Sequence, residues 1–428
     1  MTDIDARLEE LSELGLHRRM RMISGPQGPR VVLDGKPVLL LCSNNYLGLA
    51  DHPRVREAAA DAAMRWGVGA GASRLVSGTM TVHRRLEERV ADFKGTETAL
   101  LFGSGYLANI GVISALAGPD AVVFSDELNH ASLIDGCRLS RAETFVYDHC
   151  DMDHLAWALE RAAGRPKVIV TDSVFSMDGD VAPLAEIAEL AHHFNARIVV
   201  DEAHATGCCG PQGRGAVAEA GVEHDVDVVI GTLGKALGSY GAFAACSQRM
   251  AEFLVNTSRT LIFSTAPSPP AVAGALAALE LVVEQPRRVE KLQANADTLR
   301  DELAREGFEV AGSTTQIIPL IVGDADLAMR MCELAIERGV FAQAIRPPTV
   351  PDGTSRLRLA VMASHTKAEL HDAAQVLGRV ALKAGFRPGV GVPIAAAAPG
   401  RTERFDERAS EPARARVFDG QSGVRRAA

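Results

Sequence analysis

The first pattern of apolar positions lies near the amino terminus. An isoleucine and several leucines recur at nearly helical spacing over residues 4–22, which predicts an amphipathic helix. A break rich in glycine and proline follows, and then comes the apolar run VVLDGKPVLLL (31–41). This run predicts two short strands that pair across a turn at Asp34 and Gly35.

From about residue 97, short β-branched runs alternate with helical patterns such as LAEIAELAHHF (184–194). The runs are AVVF (121–124), KVIV (167–170), RIVV (197–200) and DVVI (227–230). Continuously apolar strands separated by helices predict an α/β fold with a mainly parallel central sheet covered on both faces. In such sheets, ligands bind beyond the carboxyl ends of the strands.

A proline-rich break, FSTAPSPP (263–270), ends the alternating region. The next residues mix helical patterns with the runs QIIPLIV (316–322) and RLRLAV (356–361), which predicts a smaller α+β C-terminal domain. The end of the chain is rich in alanine, proline, glycine and arginine without periodicity, which is typical of disorder. The predicted segments are an N-terminal helix and strand segment (1–41), a large domain (42–270), a smaller domain (271–386) and a disordered tail (387–428).

Composition narrows the class of protein. The formal net charge of -9 over 428 residues argues against nucleic-acid binding, since nucleic-acid binders usually display a basic face. The seven cysteines match neither a disulfide framework nor a zinc site, which predicts reduced thiols and no metal. The amino terminus lacks the apolar core of a signal peptide, and no apolar run reaches the roughly 18 residues of a membrane span. We therefore expect a cytoplasmic protein that binds neither nucleic acid nor a membrane.

A lysine in a glycine-rich turn is the first candidate for chemistry. The stretch TLGKALGSYGA (232–242) follows the run DVVI and places Lys235 between Gly234 and Gly238. Small neighbours let the backbone approach a ligand, and an uncrowded lysine amine can form a Schiff base with a carbonyl group. Thr232 can donate to a phosphate oxygen. Taken alone, such a stretch is more often a surface lysine in a glycine turn.

The stretch DEAHATG (201–207) places Asp201 at the end of the run RIVV. A buried carboxylate needs a positive partner, because desolvation of an unpaired charge costs several kcal/mol. A protonated pyridine nitrogen is one such partner, and His204 could hydrogen-bond a phenolic oxygen of the same ring. The alternative is a helix-capping aspartate followed by an exposed histidine. DEAH also occurs in helicases, but no Walker A loop accompanies it here.

Three further stretches follow predicted strands in the same way. FGSGYLAN (102–109) offers backbone N–H groups at a helix N-terminus, which suits a phosphate. SDELNHASL (125–133) places His130 where its ring could stack on a pyridine, and TDSVFSMDGD (171–180) brings Ser176 within reach of a cofactor. Separately, they are typical of a glycine-containing turn, a helix-capping histidine and a plain turn. Together with the lysine and the carboxylate, they form the set of groups that a pyridoxal-phosphate (PLP) site requires.

The chain resembles the α-oxoamine synthases, PLP-dependent enzymes of fold-type I, from about Gly15 to Gly385. The resemblance lies in the stretches above and in CSNNYLGL (42–49), GASRLVSGT (71–79), IFSTAPSPP (262–270) and AIRPPTVPDGTSRLRL (344–359). It implies an aspartate aminotransferase-like fold and a homodimer with the site at the subunit interface. DEAHATGCCG departs from the group's pattern, which more often has a second aspartate and a glycine after the histidine.

The resemblance also implies roles for individual residues. Lys235 would carry the cofactor and transfer protons, Asp201 would pair with the ring nitrogen, and His130 would stack on the ring. The implied cofactor-binding residues are Gly105, Tyr106, His130, Ser176, Asp201, His204, Thr232 and Lys235. The implied substrate-binding residues are Arg19, Asn44, His130, Thr349 and Arg358, with Arg18 as the alternative to Arg19. Arg358 would hold a carboxylate, because a guanidinium group matches it bidentately.

Within the group, SRLVSG and IRPPTVP favour the members that condense L-alanine with a pimeloyl thioester and release carbon dioxide, a step of biotin biosynthesis. The acyl carrier would be acyl carrier protein or coenzyme A, and the sequence does not choose between them. Relatives that use glycine with acetyl-CoA, or serine with a longer acyl chain, are the nearest alternatives. A non-catalytic protein with a PLP fold is an alternative of another class, against which the intact lysine, aspartate and histidine argue.

Overall fold

The structure is a computed structural model that describes residues 3–310 and 312–389. Its helices are α1 (Ile4–Glu13), α2 (Pro53–Trp66), α3 (Thr81–Lys94), α4 (Gly105–Leu116), α5 (Ala131–Ser140), α6 (Met152–Arg161), α7 (Leu184–Phe194), α8 (Ala216–Ala220), α9 (Gln248–Thr257), α10 (Arg259–Ile262), α11 (Pro269–Glu284), α12 (Arg287–Arg305), α13 (Ala325–Glu337) and α14 (Lys367–Ala384). Its strands are β1 (Ile23–Ser24), β2 (Arg30–Leu33), β3 (Lys36–Leu40), β4 (Thr98–Phe102), β5 (Val122–Asp126), β6 (Glu143–Tyr147), β7 (Lys167–Asp172), β8 (Arg197–Asp201), β9 (Val228–Thr232), β10 (Ala242–Cys246), β11 (Ile317–Gly323), β12 (Val340–Phe341), β13 (Gln343–Ile345) and β14 (Ser355–Ala360). From residue 390 onward, the predicted tail (387–428) lies outside the described residues.

The central sheet has the strand order β4-β10-β9-β8-β7-β5-β6. The neighbours among β9, β8, β7, β5 and β6 run parallel, whereas β10 runs antiparallel to both β9 and β4. The runs AVVF, KVIV, RIVV and DVVI form the cores of β5, β7, β8 and β9, so the predicted α/β fold is confirmed. Because these strands share one direction, their carboxyl ends lie at one edge of the sheet.

Both faces of this sheet are buried, which explains why its strands are apolar without alternation. Successive residues of a strand point to opposite faces. In β8, Ile198 and Val200 pack in one core with α3, α7 and α11, while Val199 packs on the other face with α4, α5 and α9. Each fully buried side chain of this kind contributes roughly 1.5–3 kcal/mol to the stability of the fold. The sheet therefore holds the groups at its edge in fixed positions.

A second hydrophobic core brings together the two ends of the described chain. The hairpin β2–β3, paired across the predicted turn, packs against α12, α13 and α14. β11, β14 and β13 form an antiparallel sheet beside these helices. β11 and β14 lie where the sequence predicts short strands, whereas β13 was not predicted. The boundaries of the four predicted segments stay a prediction. Among the described residues, no helix combines the length and apolarity needed to cross a membrane.

The N-terminal helix is shorter than the predicted span of residues 4–22, because it ends at Glu13. Gly15 has φ 64°, in the left-handed region that favours glycine. The N–H of Leu16 then donates to the carbonyl of Leu11 at 2.7 Å, which closes the helix with a Schellman motif. The apolar residues beyond this turn therefore do not continue the helix.

A buried ion pair fixes the chain directly after Asp201. Lys94 and Glu202 are 5% and 0% exposed, and their side chains form the pair. Lys94 Nζ also donates to Thr206 Oγ1 at 2.8 Å and to the carbonyl of Arg214 at 2.5 Å. Since an ammonium group has three protons, all of its donor capacity is used.

We expect Lys94→Met to lower the free energy of unfolding by about 3–5 kcal/mol, because the Glu202 carboxylate would remain buried without its partner. Denaturant titration followed by circular dichroism measures this change. The control is Arg7→Met, which removes the half-exposed helical pair with Glu10 and should cost less than about 1 kcal/mol. Equal losses for the two variants would contradict this account.

Candidate active site

Polar side chains gather at the carboxyl edge of the central sheet. Because β10 is antiparallel to both of its neighbours, β4 runs in the same direction as β9 and ends at the same edge. The side chains that follow or end these strands are Ser104 after β4, His130 after β5, Asp172 on β7, Asp201 on β8 and Lys235 after β9. The structure thus brings residues of all five candidate stretches to one edge.

Asp201 is a buried carboxyl group, 4% exposed, that is held by two N–H donors. Asn109 Nδ2 donates to Asp201 Oδ2 at 2.6 Å, and the N–H of Ala203 donates to Oδ1 at 2.7 Å. None of the ion pairs formed within residues 3–310 and 312–389 includes Asp201. Within the described residues, the protein therefore orients this group without an ion pair.

Asn109 is a site residue that the sequence reasoning did not single out. It lies on α4, whose sequence GYLANIGVISAL is mostly apolar, and it is 0% exposed. Its Nδ2 donates to Ser132 Oγ at 2.8 Å as well as to Asp201. A buried polar side chain needs a hydrogen-bond partner. The asparagine in this mostly apolar helix was therefore the signal from which the sequence could have identified Asn109 as a site residue.

Lys235 lies within electrostatic range of this carboxyl group, and its Nζ is 2.7 Å from His204 Nε2. Burial lowers the pKa of Lys235 to about 8, although the charge of Asp201 raises it. An amine with such a pKa is partly neutral near physiological pH. It can therefore act as a nucleophile and as a base, which an ordinary lysine does poorly.

His204 is buried and neutral. Burial lowers its pKa well below the usual range, and the charges of Lys235 and Arg358 lower it further. Its Nδ1 lies 2.7 Å from the hydroxyl of Tyr46, which is 0% exposed and which the sequence reasoning missed. The alternative of an exposed histidine after a capping aspartate is therefore wrong.

His130 is the N-cap of α5, so the helix-capping alternative describes part of its contacts. Its Nδ1 accepts from the N–H of Ser132 at 3.3 Å and lies 2.7 Å from the Ser132 hydroxyl. Its own backbone N–H donates to Asp172 Oδ2 at 2.6 Å. Burial lowers the pKa of His130. The imidazole is thus neutral and fixed at the sheet edge, and its stacking on a ring stays a prediction.

Asp172 is a second carboxyl group at this edge, and the sequence assigned no role to it. It pairs in register with Asp201 across β7 and β8. Burial raises its pKa well above the usual range, and repulsion from Asp201 raises it further. The donor from His130 opposes this shift. Because two adjacent buried carboxylates cannot both ionise easily, we infer that Asp172 stays protonated while it anchors the histidine backbone.

The predicted phosphate turn lies between β4 and α4. Ser104 caps the helix by accepting from the N–H of Leu107 at 3.2 Å. At Gly105, an added Cβ would meet no atom within 4 Å, so the backbone is open to a ligand. The first N–H groups of a helix have no partner within it, and they suit an anion. The Tyr106 hydroxyl donates to Asp135, and its ring is 44% exposed.

The substrate candidates divide into two groups. Arg358 reaches the site from β14: its Nε donates to the carbonyl of Ser176 at 2.5 Å, and its Nη1 lies 3.3 Å from Asn44 Oδ1. Arg19 and Thr349 are both exposed. Within the described chain, neither hydrogen-bonds to the cluster around Lys235. Arg19 instead lies 3.8 Å from the carboxylate of Glu333.

Comparison with known proteins agrees with this geometry. The family model for aminotransferase class I and II matches residues 36–377. The chain belongs to this family. Curated relatives named 8-amino-7-oxononanoate synthase place it among the α-oxoamine synthases, as predicted. The one from Citrifermentans bemidjiense is 53% identical over 88% of this chain and 98% of its own. The one from Geobacter metallireducens is 53% identical over 90% of this chain and 98% of its own.

Solved structures share the fold of this α-oxoamine synthase. Serine palmitoyltransferase from S. paucimobilis, with a bound PLP–myriocin adduct, has a TM-score of 0.85 and 32% identity, and the match covers 89% of this chain and 97% of the other. 8-Amino-7-oxononanoate synthase from Francisella tularensis has a TM-score of 0.70 and 25% identity, with 81% and 98% covered. The predicted cofactor class, PLP, is the one that this fold family uses.

The residues at the sheet edge fit PLP. A buried carboxyl group with oriented donors but no cation, Asp201, would gain its missing positive partner from a protonated pyridine nitrogen. The amine of Lys235 has a pKa near the working range, and the turn at Gly105 leaves room for a phosphate. Each group therefore matches one part of the cofactor.

We expect Asp201→Asn to lower the pKa of Lys235 in the cofactor-free protein by at least about one pH unit. Burial, which lowers the pKa, would remain, while the carboxylate that raises it would be gone. The pH dependence of trinitrobenzenesulfonate labelling, with the labelled peptide identified by mass spectrometry, measures this value. Asp225→Asn, at an exposed position, should leave it unchanged. An unchanged or higher value in Asp201→Asn would show that the two groups are not coupled.

Proposed function

We propose that the protein condenses L-alanine with a pimeloyl thioester and releases carbon dioxide, giving 8-amino-7-oxononanoate for biotin biosynthesis. The observation that carries this proposal is the 53% identity, over 88% of the chain, to a curated relative named for that product. The site supports it with a lysine of lowered pKa, a buried carboxyl group and a buried guanidinium group. These are the groups that such a condensation needs.

PLP, when bound, supplies an electron-accepting ring that stabilises negative charge at the α-carbon of the amino acid. Asp201 would hold the ring nitrogen, His130 would cover one face, and His204 would meet the phenolic oxygen. The remaining residues proposed for cofactor binding are Gly105, Tyr106, Ser176 and Thr232. Of these, Thr232 accepts from the N–H of Gly234 at 3.1 Å, which keeps its hydroxyl within the lysine turn.

Lys235 is the proposed group for proton transfer at the α-carbon. A base acts best when its pKa lies near the working pH, and burial brings the pKa of Lys235 to about 8. Lys235 follows β9, and Asp201 ends the adjacent β8. The base and the carboxyl group that would hold the cofactor ring therefore lie at the same edge of the sheet. The same amine can return the proton after carbon dioxide has left.

Arg358 and Asn44 are proposed to hold the carboxylate of L-alanine. Arg358 is 6% exposed, and its Nε is fixed by the carbonyl of Ser176. Its Nη1 and Nη2 make only long contacts, with Asn44 Oδ1 at 3.3 and 3.4 Å and with the Tyr46 hydroxyl at 3.4 Å. A carboxylate can replace these contacts with shorter charged bonds. The exposed positions of Arg19 and Thr349 suit contact with the incoming acyl substrate.

The solved structures favour a second candidate, the condensation of serine with a long-chain acyl thioester. Serine palmitoyltransferase has the higher TM-score, 0.85 against 0.70. The sequence favours alanine, because the relatives named for the alanine-derived product are 53% identical and the palmitoyltransferase is 32% identical. A fold likeness says less about the substrate than a closely related sequence does.

Thiol release by the PLP-loaded protein separates these candidates. We expect release with L-alanine and pimeloyl-CoA, or with L-alanine and the pimeloyl acyl carrier protein. Little release should occur with L-serine and palmitoyl-CoA, or with glycine and acetyl-CoA. Comparison of the two pimeloyl carriers identifies the natural one. Release with serine and palmitoyl-CoA alone would overturn the proposal in favour of the second candidate.

We expect Lys235→Ala to lower thiol release by at least about 1,000-fold, since a positioned acid–base group contributes roughly 100- to 10,000-fold and this residue would also carry the cofactor. Lys291→Ala, an exposed lysine on α12, is the control and should keep the wild-type rate. Circular dichroism checks that both variants are folded. Normal turnover by Lys235→Ala would contradict the role.

We also propose that the protein is a homodimer in the cytoplasm. Large apolar side chains are exposed around the lysine turn and the SRLVSG stretch, among them Val76 at 79%, Tyr240 at 63% and Phe263 at 70%. Exposed apolar side chains close to a site are typical of an interface. Sedimentation equilibrium should give twice the mass of the chain, and a monomer would contradict this proposal.

A further inference from the structure

A line of hydrogen bonds connects Arg358 to Lys235 through three buried or half-buried side chains. Arg358 Nη1 and Nη2 lie 3.3 and 3.4 Å from Asn44 Oδ1. The Tyr46 hydroxyl lies 2.9 Å from that oxygen and 2.7 Å from His204 Nδ1. His204 Nε2 in turn lies 2.7 Å from Lys235 Nζ. The proposed carboxylate site and the proposed base are therefore joined by one network.

The donors and acceptors of this network can be assigned by counting protons. A guanidinium group has only donors, so Arg358 fixes Oδ1 of Asn44 as the atom that accepts. A tyrosine hydroxyl has one proton, and Asn44 Oδ1 can only accept, so the proton of Tyr46 lies between these two residues. Arg358 Nη2, 3.4 Å from the Tyr46 hydroxyl, also requires that oxygen to accept.

The proton of His204 follows from this assignment. Because Tyr46 donates its only hydroxyl proton to the hydrogen bond with Asn44, its oxygen must accept the hydrogen bond from His204. The proton of the neutral imidazole therefore lies on Nδ1. Nε2 is then left with a lone pair directed at Lys235. The main chain at this residue is fixed separately, because Gln316 Nε2 donates to the backbone carbonyl of His204 at 2.8 Å.

We propose that Tyr46 is a positioning residue that fixes His204 as the Nδ1–H tautomer, so that the Nε2 lone pair faces Lys235. This matters because an Nε2–H group would donate to the amine and occupy the electron pair with which Lys235 reacts. With the proton on Nδ1, His204 can only accept from the amine. The inference rests on the proposed function in one respect, namely that Lys235 is the reactive lysine.

Nitrogen NMR of the full, cofactor-free chain, with its histidines isotope-labelled, tests the assignment directly. The useful window lies between the pKa of Lys235, lowered to about 8, and that of Tyr46, raised to about 12 by burial. In this window the amine is neutral and does not by itself dictate the tautomer. We expect the His204 signal, identified by its loss in His204→Gln, to be that of Nδ1–H. An Nε2–H signal in the wild type would overturn the proposal.

Two variants should reverse the tautomer. In Tyr46→Phe, an Nδ1 proton would have no acceptor, so the proton should move to Nε2 and donate to the neutral amine. In Asn44→Ala, Tyr46 becomes free to donate to Nδ1, which has the same result by another route. Tyr147→Phe, which removes a hydroxyl from an equally buried ring, is the matched control and should keep Nδ1–H. Retention of Nδ1–H in both Tyr46→Phe and Asn44→Ala would contradict the role of Tyr46.

This readout does not depend on turnover. If the tautomer behaves as expected and no thiol release is seen with any substrate pair, the assignment of Tyr46 stands and the proposed reaction fails. If thiol release is normal and the tautomer of His204 does not change in Tyr46→Phe, the proposed reaction stands and the assignment of Tyr46 fails.

Discussion

The site depends on one buried carboxyl group that the described part of the protein orients with hydrogen bonds but does not hold in an ion pair. Asp201 ends a strand that is buried on both faces, and it receives N–H groups from Asn109 and Ala203. Removing a carboxylate from water is costly unless a cation compensates. In the adjacent pair, the Lys94 ammonium group donates to Glu202, Thr206 and the carbonyl of Arg214. It therefore fixes the chain after β8 but has no donor left for Asp201. This arrangement supports the proposal that Asp201 would pair with the protonated ring nitrogen of the cofactor.

The C-terminal part of the chain completes this edge through two arginines of β14. Arg356 forms an ion pair with Asp178 and donates to the carbonyl of Met177 at 3.3 Å. Arg358, on the same face of the strand, donates to the carbonyl of Ser176. Both contacts are made with the loop after β7. The position of the proposed carboxylate-binding group is thus set by the same loop that follows the central sheet, and it does not depend on a surface side chain.

The sequence predicted what depends on local pattern and missed what depends on distant contacts. The strands and the position of Lys235, Asp201 and His204 after them follow from short apolar runs, and the structure brings these three together. Tyr46 was missed because its partner His204 is 158 residues away. The N-terminal helix was predicted too long, because its end is set by the backbone conformation at Gly15 and not by the spacing of leucines.

The proposed condensation removes the carboxyl group of alanine, and the fate of that group tests the reaction most directly. L-alanine labelled in its carboxyl carbon is supplied with pimeloyl-CoA to the PLP-loaded protein, and both the gas phase and the product are analysed by mass spectrometry. The account predicts that the label leaves as carbon dioxide and that the product has the mass of unlabelled 8-amino-7-oxononanoate. Label retained in an acylated product, or no consumption of alanine, would contradict it.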